Sequence, residues 1–94
     1  MKLEAFIRLA REQGASDIHL EGDLPLALRI RGALRFAGEP VPAATLVSVA
    51  REVIGEDAWA DFLTRGSFDI SRTVEGLRCR INILRSARGV GLAI

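Results

Sequence analysis

The residues best suited to chemistry are two arginines, Arg78 and Arg80, within residues 76–83. Successive side chains of an extended strand point to opposite faces. The alternation therefore predicts a strand with one apolar, buried face and an outer face that carries Arg78, Arg80 and Asn82. A guanidinium matches the oxygens of a phosphate, so this outer face is a candidate anion site. The alternative is that both arginines are solvated or paired with nearby carboxylates.

No other group of residues in the sequence supports catalysis. His19 is the only histidine and Cys79 the only cysteine, so we expect no metal site of His/Cys type and no internal disulfide. A Walker-type glycine-rich loop ending in Lys and Ser/Thr is missing, and the carboxylates fall on different predicted elements. We expect no catalysis by this chain alone, and we interpret His19 as a structural histidine, hydrogen-bonded across strands.

Length and composition indicate one small globular domain over residues 1–94. Apolar residues make up 49%, charged residues 27%, and the net charge is +1, which does not favour a nucleic-acid partner. No apolar run is long enough to span a membrane, and charges interrupt the N-terminus where a signal peptide needs an apolar segment. With the single cysteine, these features favour the cytoplasm.

Apolar periodicity predicts the order helix, three strands, two helices, three strands. Each helix is expected to end at a glycine, which the sequence offers at Gly14, Gly55 and Gly66. Strands joined by short turns pair antiparallel. The predicted fold is therefore α+β, an antiparallel sheet of about six strands with helices packed on one face.

The same patterns predict three local features of the fold. Leu34 and Phe36 are predicted to point into the core. Residues 38–42, which contain two prolines and a glycine, are predicted to form a stiff connector without regular structure. The inner face of the third helix is predicted to consist of Trp59, Phe62 and Leu63.

Three segments resemble signatures of one known family. The run Ala-Ser-Asp-Ile-His-Leu at residues 15–20 resembles the motif that opens the amino-terminal domain of type IV pilus and type II secretion ATPases, the PilT-like family. Residues 28–35 resemble the segment that follows this motif in the same family. Asp69, followed by Arg-Cys-Arg-Ile-Asn at residues 78–82, resembles an Asp and an Arg-x-Arg-Val-Asn strand of the retraction motors. The order and spacing match from about residue 13 to residue 94.

Two residues depart from the family pattern. Arg31 stands where the family usually has Asp before the turn glycine. The residue type that usually forms this hairpin turn is therefore missing. Cys79 replaces a Phe that is common in the pilus motors. Neither position is one of the proposed phosphate contacts.

The resemblance implies a PAS-like domain that precedes a RecA-like ATPase motor domain, and we expect the gene to continue past Ile94 into that motor. It implies a homohexamer that couples ATP hydrolysis to domain motion in twitching motility or secretion. Its location would be cytoplasmic, peripheral to the inner membrane through platform proteins. ATP and Mg would be bound mainly by the motor domain, and neither tightly by residues 1–94. Arg80 aligns with a catalytic arginine that reaches the ATP phosphates, and Arg78 is a second phosphate-binding candidate.

The sequence is also compatible with two kinds of protein that lack ATPase activity. One is a stand-alone PAS-like module that binds a protein partner, which a stop codon near Ile94 would favour. The other is a small-ligand sensor with a cavity inside the fold. The predicted apolar row favours a filled core, and it consists of Leu26, Leu28, Ile30, Phe36 and Trp59.

Overall fold

The computed structural model describes residues 2–94, which form one six-stranded antiparallel sheet and three helices, as predicted. The elements in chain order are α1 (Leu3–Glu12), β1 (Asp17–Glu21), β2 (Leu24–Ile30), β3 (Ala33–Val41), α2 (Ala43–Ile54), α3 (Glu56–Arg65), β4 (Ser67–Val74), β5 (Leu77–Ser86) and β6 (Gly89–Ala93).

The sheet consists of two three-stranded meanders joined side by side, in the order β3-β2-β1-β6-β5-β4. The joint is the antiparallel pairing of β1 with β6, the first and last strands along the chain. This joint places His19 of β1 and Asn82 of β5 on either side of Ala93 in β6. Residues that lie far apart in sequence therefore share the outer face of the sheet.

The helices cover the other face and enclose the core. The apolar stripe of α1 (Leu3, Phe6, Ile7 and Ala10) is buried in full, as its helical spacing predicts. The largest side chains with almost no exposure are Phe6, Phe62, Leu28, Leu46, Ile81 and Ile83. Fully burying one such side chain stabilises the fold by about 1.5–3 kcal/mol. Over residues 2–94 no helix has the length and apolar character that a membrane span requires.

Two hairpin turns place a non-glycine residue and then a glycine in the left-handed region. Arg31 has a φ of 51° and Gly32 a φ of 80°, and Glu75 and Gly76 have φ of 51° and 76°. Positive φ at both central residues is the conformation of the type I′ turn that two-residue hairpins favour. The Arg31 turn is held by a 3.0 Å hydrogen bond from Arg29 Nη1 to the Gly32 carbonyl. The replacement of the family's usual Asp by Arg31 therefore does not prevent the hairpin turn from forming.

The prediction of an irregular connector at residues 38–42 is wrong, because β3 continues to Val41. A shift in register between Pro25 and Leu26, opposite Pro40 and Ala37, accommodates the extra residues of β3. Pro40 is tolerated because β3 is an edge strand, where a missing N–H can face away from the ladder.

The predicted inward orientation of Leu34 and Phe36 is also wrong, since their exposed fractions are 48% and 67%. Phe36 lies opposite Ala27 in register, and Leu34 lies opposite Arg29. Directly opposed residues share a face, and Arg29 belongs to the outer face. Leu63 is 40% exposed, so the buried stripe of α3 is narrower than predicted and contains Trp59 and Phe62.

Candidate functional site

The candidate site is the outer face of β5. The predicted alternation is confirmed from Cys79 to Ile83, whereas Leu77, predicted on the buried face, is 37% exposed at the start of the strand. Ile81 and Ile83 are fully buried beneath the sheet and Cys79 is half-buried. Arg78 and Arg80, at the alternate positions, are exposed. Because a strand paired within a sheet has little freedom to rotate, the direction of both arginines is set by the burial of their neighbours.

Arg80 forms an ion pair with Asp69 of β4. Its Nη2 lies 2.8 Å from Asp69 Oδ2, and its Nε lies 3.4 Å from Oδ1. The two residues are diagonal neighbours, since Arg80 is directly opposite Ser71 and Asp69 is opposite Asn82. The hydrogen bond from Arg80 lowers the pKa of the Asp69 carboxyl and raises the pKa of Arg80. Arg80 is thus paired with a nearby carboxylate, which is the alternative that the sequence left open.

The ion pair nevertheless remains open to solvent. The side chain of Arg80 is 80% exposed and that of Asp69 is 45% exposed. Exposed ion pairs contribute little net stability and are screened by salt. A phosphate approaching the outer face can therefore compete with Asp69 for the guanidinium.

The side chain of Arg78 makes fewer polar contacts than that of Arg80. Its one side-chain hydrogen bond within residues 2–94 goes to the Thr73 hydroxyl, at 3.4 Å. No carboxylate of the described chain lies within salt-bridge distance of it. Sequence reasoning ranked Arg80 first, whereas the geometry leaves Arg78 as the guanidinium that is available without breaking an ion pair.

His19 lies in the same outer-face row as Asn82 and Asp69, but the interpretation of it as a hydrogen-bonded structural histidine is wrong. Its ring is exposed and makes no hydrogen bond to the rest of the described chain. Its backbone is held between Ala27 and Ala93 in the sheet. The small side chains of these two alanines leave the imidazole accessible from outside.

Two arginines of α1 anchor the hairpin that carries the site, and sequence reasoning missed both. Arg8 Nη2 lies 2.6 Å from Glu75 Oε1, and Arg11 Nη1 donates to the Glu75 carbonyl at 2.7 Å. Glu75 is the first central residue of the β4–β5 turn, two residues from β5. These contacts join residues more than sixty positions apart, so no local pattern in the sequence indicates them.

Comparison with solved structures finds similarity to a pilus retraction motor and to two ATPases. The crystal structure of the pilus retraction motor PilT with bound ADP is 33% identical, with a TM-score of 0.84, over 99% of this chain and 28% of that chain. The ATPase DotB of Legionella pneumophila is 16% identical, with a TM-score of 0.79, over 97% of this chain and 27% of that one. The DotB of Yersinia pseudotuberculosis is 13% identical, with a TM-score of 0.65, over 96% and 28%. At these lower identities, the likeness to DotB shows the fold alone.

The fold is therefore that of an α+β domain similar to part of the pilus retraction motor PilT, and the chain belongs to the PilT-like family. The resemblance to the amino-terminal domain of the PilT-like pilus and secretion ATPases, predicted from the three motifs, is confirmed. The chain spans 28% of the length of the PilT chain that it matches. No family model and no curated protein sequence matches it.

Proposed function

We propose that this chain acts as the amino-terminal domain of a hexameric PilT-like ATPase, which powers either a type IV pilus in twitching motility or type II secretion. The observation that carries the proposal is the exposed pair Arg78 and Arg80 on β5, in a domain similar over 99% of its length to a part of PilT. The assembly works in the cytoplasm, peripheral to the inner membrane, where platform proteins of the pilus or secretion machine are its partners.

In this proposal the two arginines contact the phosphates of an ATP that a RecA-like motor domain holds. A guanidinium aimed at the γ-phosphate stabilises the charge that develops during phosphoryl transfer, an effect of about a thousandfold or more in rate. A strand suits this task because it fixes the direction of a side chain better than a loop does. Arg80 has the catalytic role and Arg78 supports phosphate binding.

The ion pair of Arg80 with Asp69 supplies a way to link nucleotide state to domain position. When a phosphate reaches the outer face, Arg80 exchanges one carboxylate partner for a group with more negative charge and more acceptor oxygens. When the phosphate leaves, Arg80 returns to Asp69. The strength of attachment between this domain and a motor domain then depends on which nucleotide is bound.

The residues of this chain fit the phosphates of ATP but not its metal ion. The described part of the chain contains no group of three or more His, Cys, Asp or Glu residues that could hold a metal. In this proposal Mg²⁺ and most contacts to ATP belong to the motor domain, and the 94-residue chain alone is expected to bind ATP weakly or not at all. Held by the motor domain, Mg²⁺ would neutralise part of the charge on the phosphates.

The test is alanine substitution in the complete ATPase. We expect Arg80→Ala to lower kcat about a thousandfold, and Arg78→Ala to raise KM for ATP about tenfold with a smaller effect on kcat. Arg35→Ala is the matched control, because Arg35 is an exposed strand arginine without a side-chain hydrogen bond or ion pair in the described chain. All three variants should keep the wild-type melting temperature within a few degrees. ATP turnover that is unchanged in both Arg80→Ala and Arg78→Ala would refute the proposal.

A stand-alone protein-interaction module is the second candidate, and one observation favours it. Large apolar side chains are exposed on the outer face of the sheet, among them Leu34, Phe36 and Leu84. Such a patch is typical of interaction sites. If this is the function, Phe36→Ser abolishes binding of the partner protein and the two arginine substitutions leave it unchanged.

A further inference from the structure

The outer face above Ala93 is a depression between two polar side chains. Ala93 lies in β6, directly opposite His19 of β1 on one side and Asn82 of β5 on the other. All three residues line a groove of about 430 Å³ on the outer face. Because the side chain of alanine is a single methyl group, the space between the imidazole and the amide stays open to solvent.

Both flanking side chains have hydrogen-bonding groups to offer. Within residues 2–94, neither the His19 ring nor the Asn82 amide makes a hydrogen bond. An asparagine amide carries two N–H donors, and an imidazole carries one donor when neutral and two when protonated. Adjacent strands lie about 4.8 Å apart, so β1 and β5 are separated by roughly 10 Å across β6. A phosphate that accepts a hydrogen bond of about 2.8 Å on either side spans about 8 Å between the two donors.

The guanidinium of Arg80 is within reach of this depression as well as of Asp69. Asn82 is opposite Asp69 on the β4 side and opposite Ala93 on the β6 side. Because Arg80 precedes Asn82 by two residues, Asp69 and Ala93 are both its diagonal neighbours. Diagonal neighbours are about 7–8 Å apart, within reach of a long side chain. A change of rotamer therefore moves the guanidinium from the Asp69 carboxylate to the space above Ala93.

The two carboxylates that flank His19 along β1 are bound to other residues. Glu21 Oε1 accepts a hydrogen bond of 2.8 Å from the Ser86 hydroxyl. Asp17 Oδ2 lies 3.9 Å from Arg29 Nε of β2. Neither carboxylate contacts the His19 ring within salt-bridge distance, so the imidazole is available to an anion that enters the depression.

We propose that the space above Ala93 is a phosphate subsite, in which His19 and Asn82 donate hydrogen bonds to a phosphate group of the nucleotide and Arg80 supplies the positive charge. The inference rests on the proposed function, which brings a nucleotide to the outer face. It adds two binding residues to the two arginines and gives the partner exchange of Arg80 a defined end point. Three donors that converge on one anion bind it more tightly than a single exposed guanidinium does.

An NMR titration of this chain with inorganic tripolyphosphate at constant ionic strength tests the subsite without ATP turnover. His19 and Asn82 are the only histidine and the only asparagine in the sequence, so the signals of both side chains are assigned directly. We expect both to shift along one saturation curve. His19→Ala and Asn82→Ala should each weaken binding about threefold, the effect of losing one exposed hydrogen bond. Arg80→Ala should weaken it about tenfold, because the hydrogen bonds of a guanidinium carry charge.

Filling the depression gives an independent variant. Ala93→Leu keeps all three donors but places a larger side chain between them, so the affinity for tripolyphosphate should fall about tenfold through steric exclusion. Arg35→Ala is the control for general attraction of the anion to arginines, since Arg35 is exposed and has no ion pair in the described chain. Its affinity should equal that of wild type. Backbone amide spectra of each variant show whether the fold is kept.

Kinetics of the complete ATPase separate a nucleotide from other sources of phosphate. His19→Ala should raise the KM for ATP about threefold. The inference is overturned if tripolyphosphate shifts neither side chain, if the His19, Asn82 and Ala93 variants bind it as tightly as wild type, or if the KM for ATP is unchanged. Normal ATP turnover in both Arg80→Ala and Arg78→Ala would instead refute the proposed function, and the tripolyphosphate titration would still decide whether the subsite exists.

Discussion

Arg80 and Asp69 face each other diagonally across the ladder of β4 and β5, joined through two nitrogen–oxygen contacts of 2.8 and 3.4 Å. Both side chains start from paired strands whose neighbouring apolar residues are buried or half-buried, so the pair keeps its position on the sheet. The guanidinium still faces solvent. The carboxylate therefore orients Arg80 while leaving it free to exchange partners with an anion that reaches the outer face.

Replacing Asp69 with Asn removes the competing negative charge and keeps the size of the side chain. We expect the KM for ATP of the complete ATPase to fall by no more than about fivefold, with kcat within about twofold of wild type, since exposed ion pairs contribute little. Steady-state ATPase kinetics measure both constants. Asp61→Asn is the control, because its carboxylate contacts only Arg65, one turn further along α3. A fall in kcat comparable with that of Arg80→Ala would show that Asp69 is required to position the arginine.

The Asp69 carboxyl provides a readout of the ion pair that is independent of ATP. Its pKa lies below the ordinary value of 3.8 because Arg80 donates hydrogen bonds to it. We expect this pKa to rise to its ordinary value in Arg80→Ala, as followed by NMR of the carboxyl carbon. The pKa of Glu56, lowered by the hydrogen bonds from Arg51, is the internal control and should not change. An identical Asp69 pKa in the two proteins would contradict the ion pair.

The lowered pKa of Asp69 determines how the stability of the fold depends on pH. A carboxyl with a lower pKa in the folded than in the unfolded protein stabilises the fold above its unfolded pKa. This contribution is lost as the pH falls through the folded-state pKa, below about pH 4. Urea unfolding at several pH values should therefore show a smaller acid-induced loss of stability in Asp69→Asn than in wild type.

Two phenylalanines test which face of the sheet is buried. Phe62 is 1% exposed, and the centroid of its ring lies 5.3 Å from the ring centroid of Trp59. Phe62→Ala should therefore lower the free energy of unfolding by about 3–5 kcal/mol. Phe36 is exposed on the outer face, and Phe36→Ala should change the free energy of unfolding by less than about 0.5 kcal/mol. Chemical denaturation measures both. Equal losses in the two variants would mean that the outer face is covered in solution.

Sequence reasoning predicted the elements better than their faces. The alternation in β5 correctly placed Ile81 and Ile83 inside and the arginines outside, because a strand with two charges on one side has only one stable orientation. In β3, the alternation of Leu34 and Phe36 showed that they share a face but not which one. Their pairing with Arg29 and Ala27 decides this, and the pairing depends on the Arg31 turn and the bulge near Pro25.

The order of the elements, the glycine ends of the helices and the strand that presents Arg78 and Arg80 are all predictable from the sequence, because these features follow from local periodicity and backbone preferences. Three features are visible only in the folded protein: β6 lies between β1 and β5, Asp69 binds Arg80 rather than Arg78, and α1 holds the β4–β5 turn. These features arise from contacts between residues distant in the chain, where the relative position of packed elements, and not the neighbouring residues in sequence, sets which side chains meet.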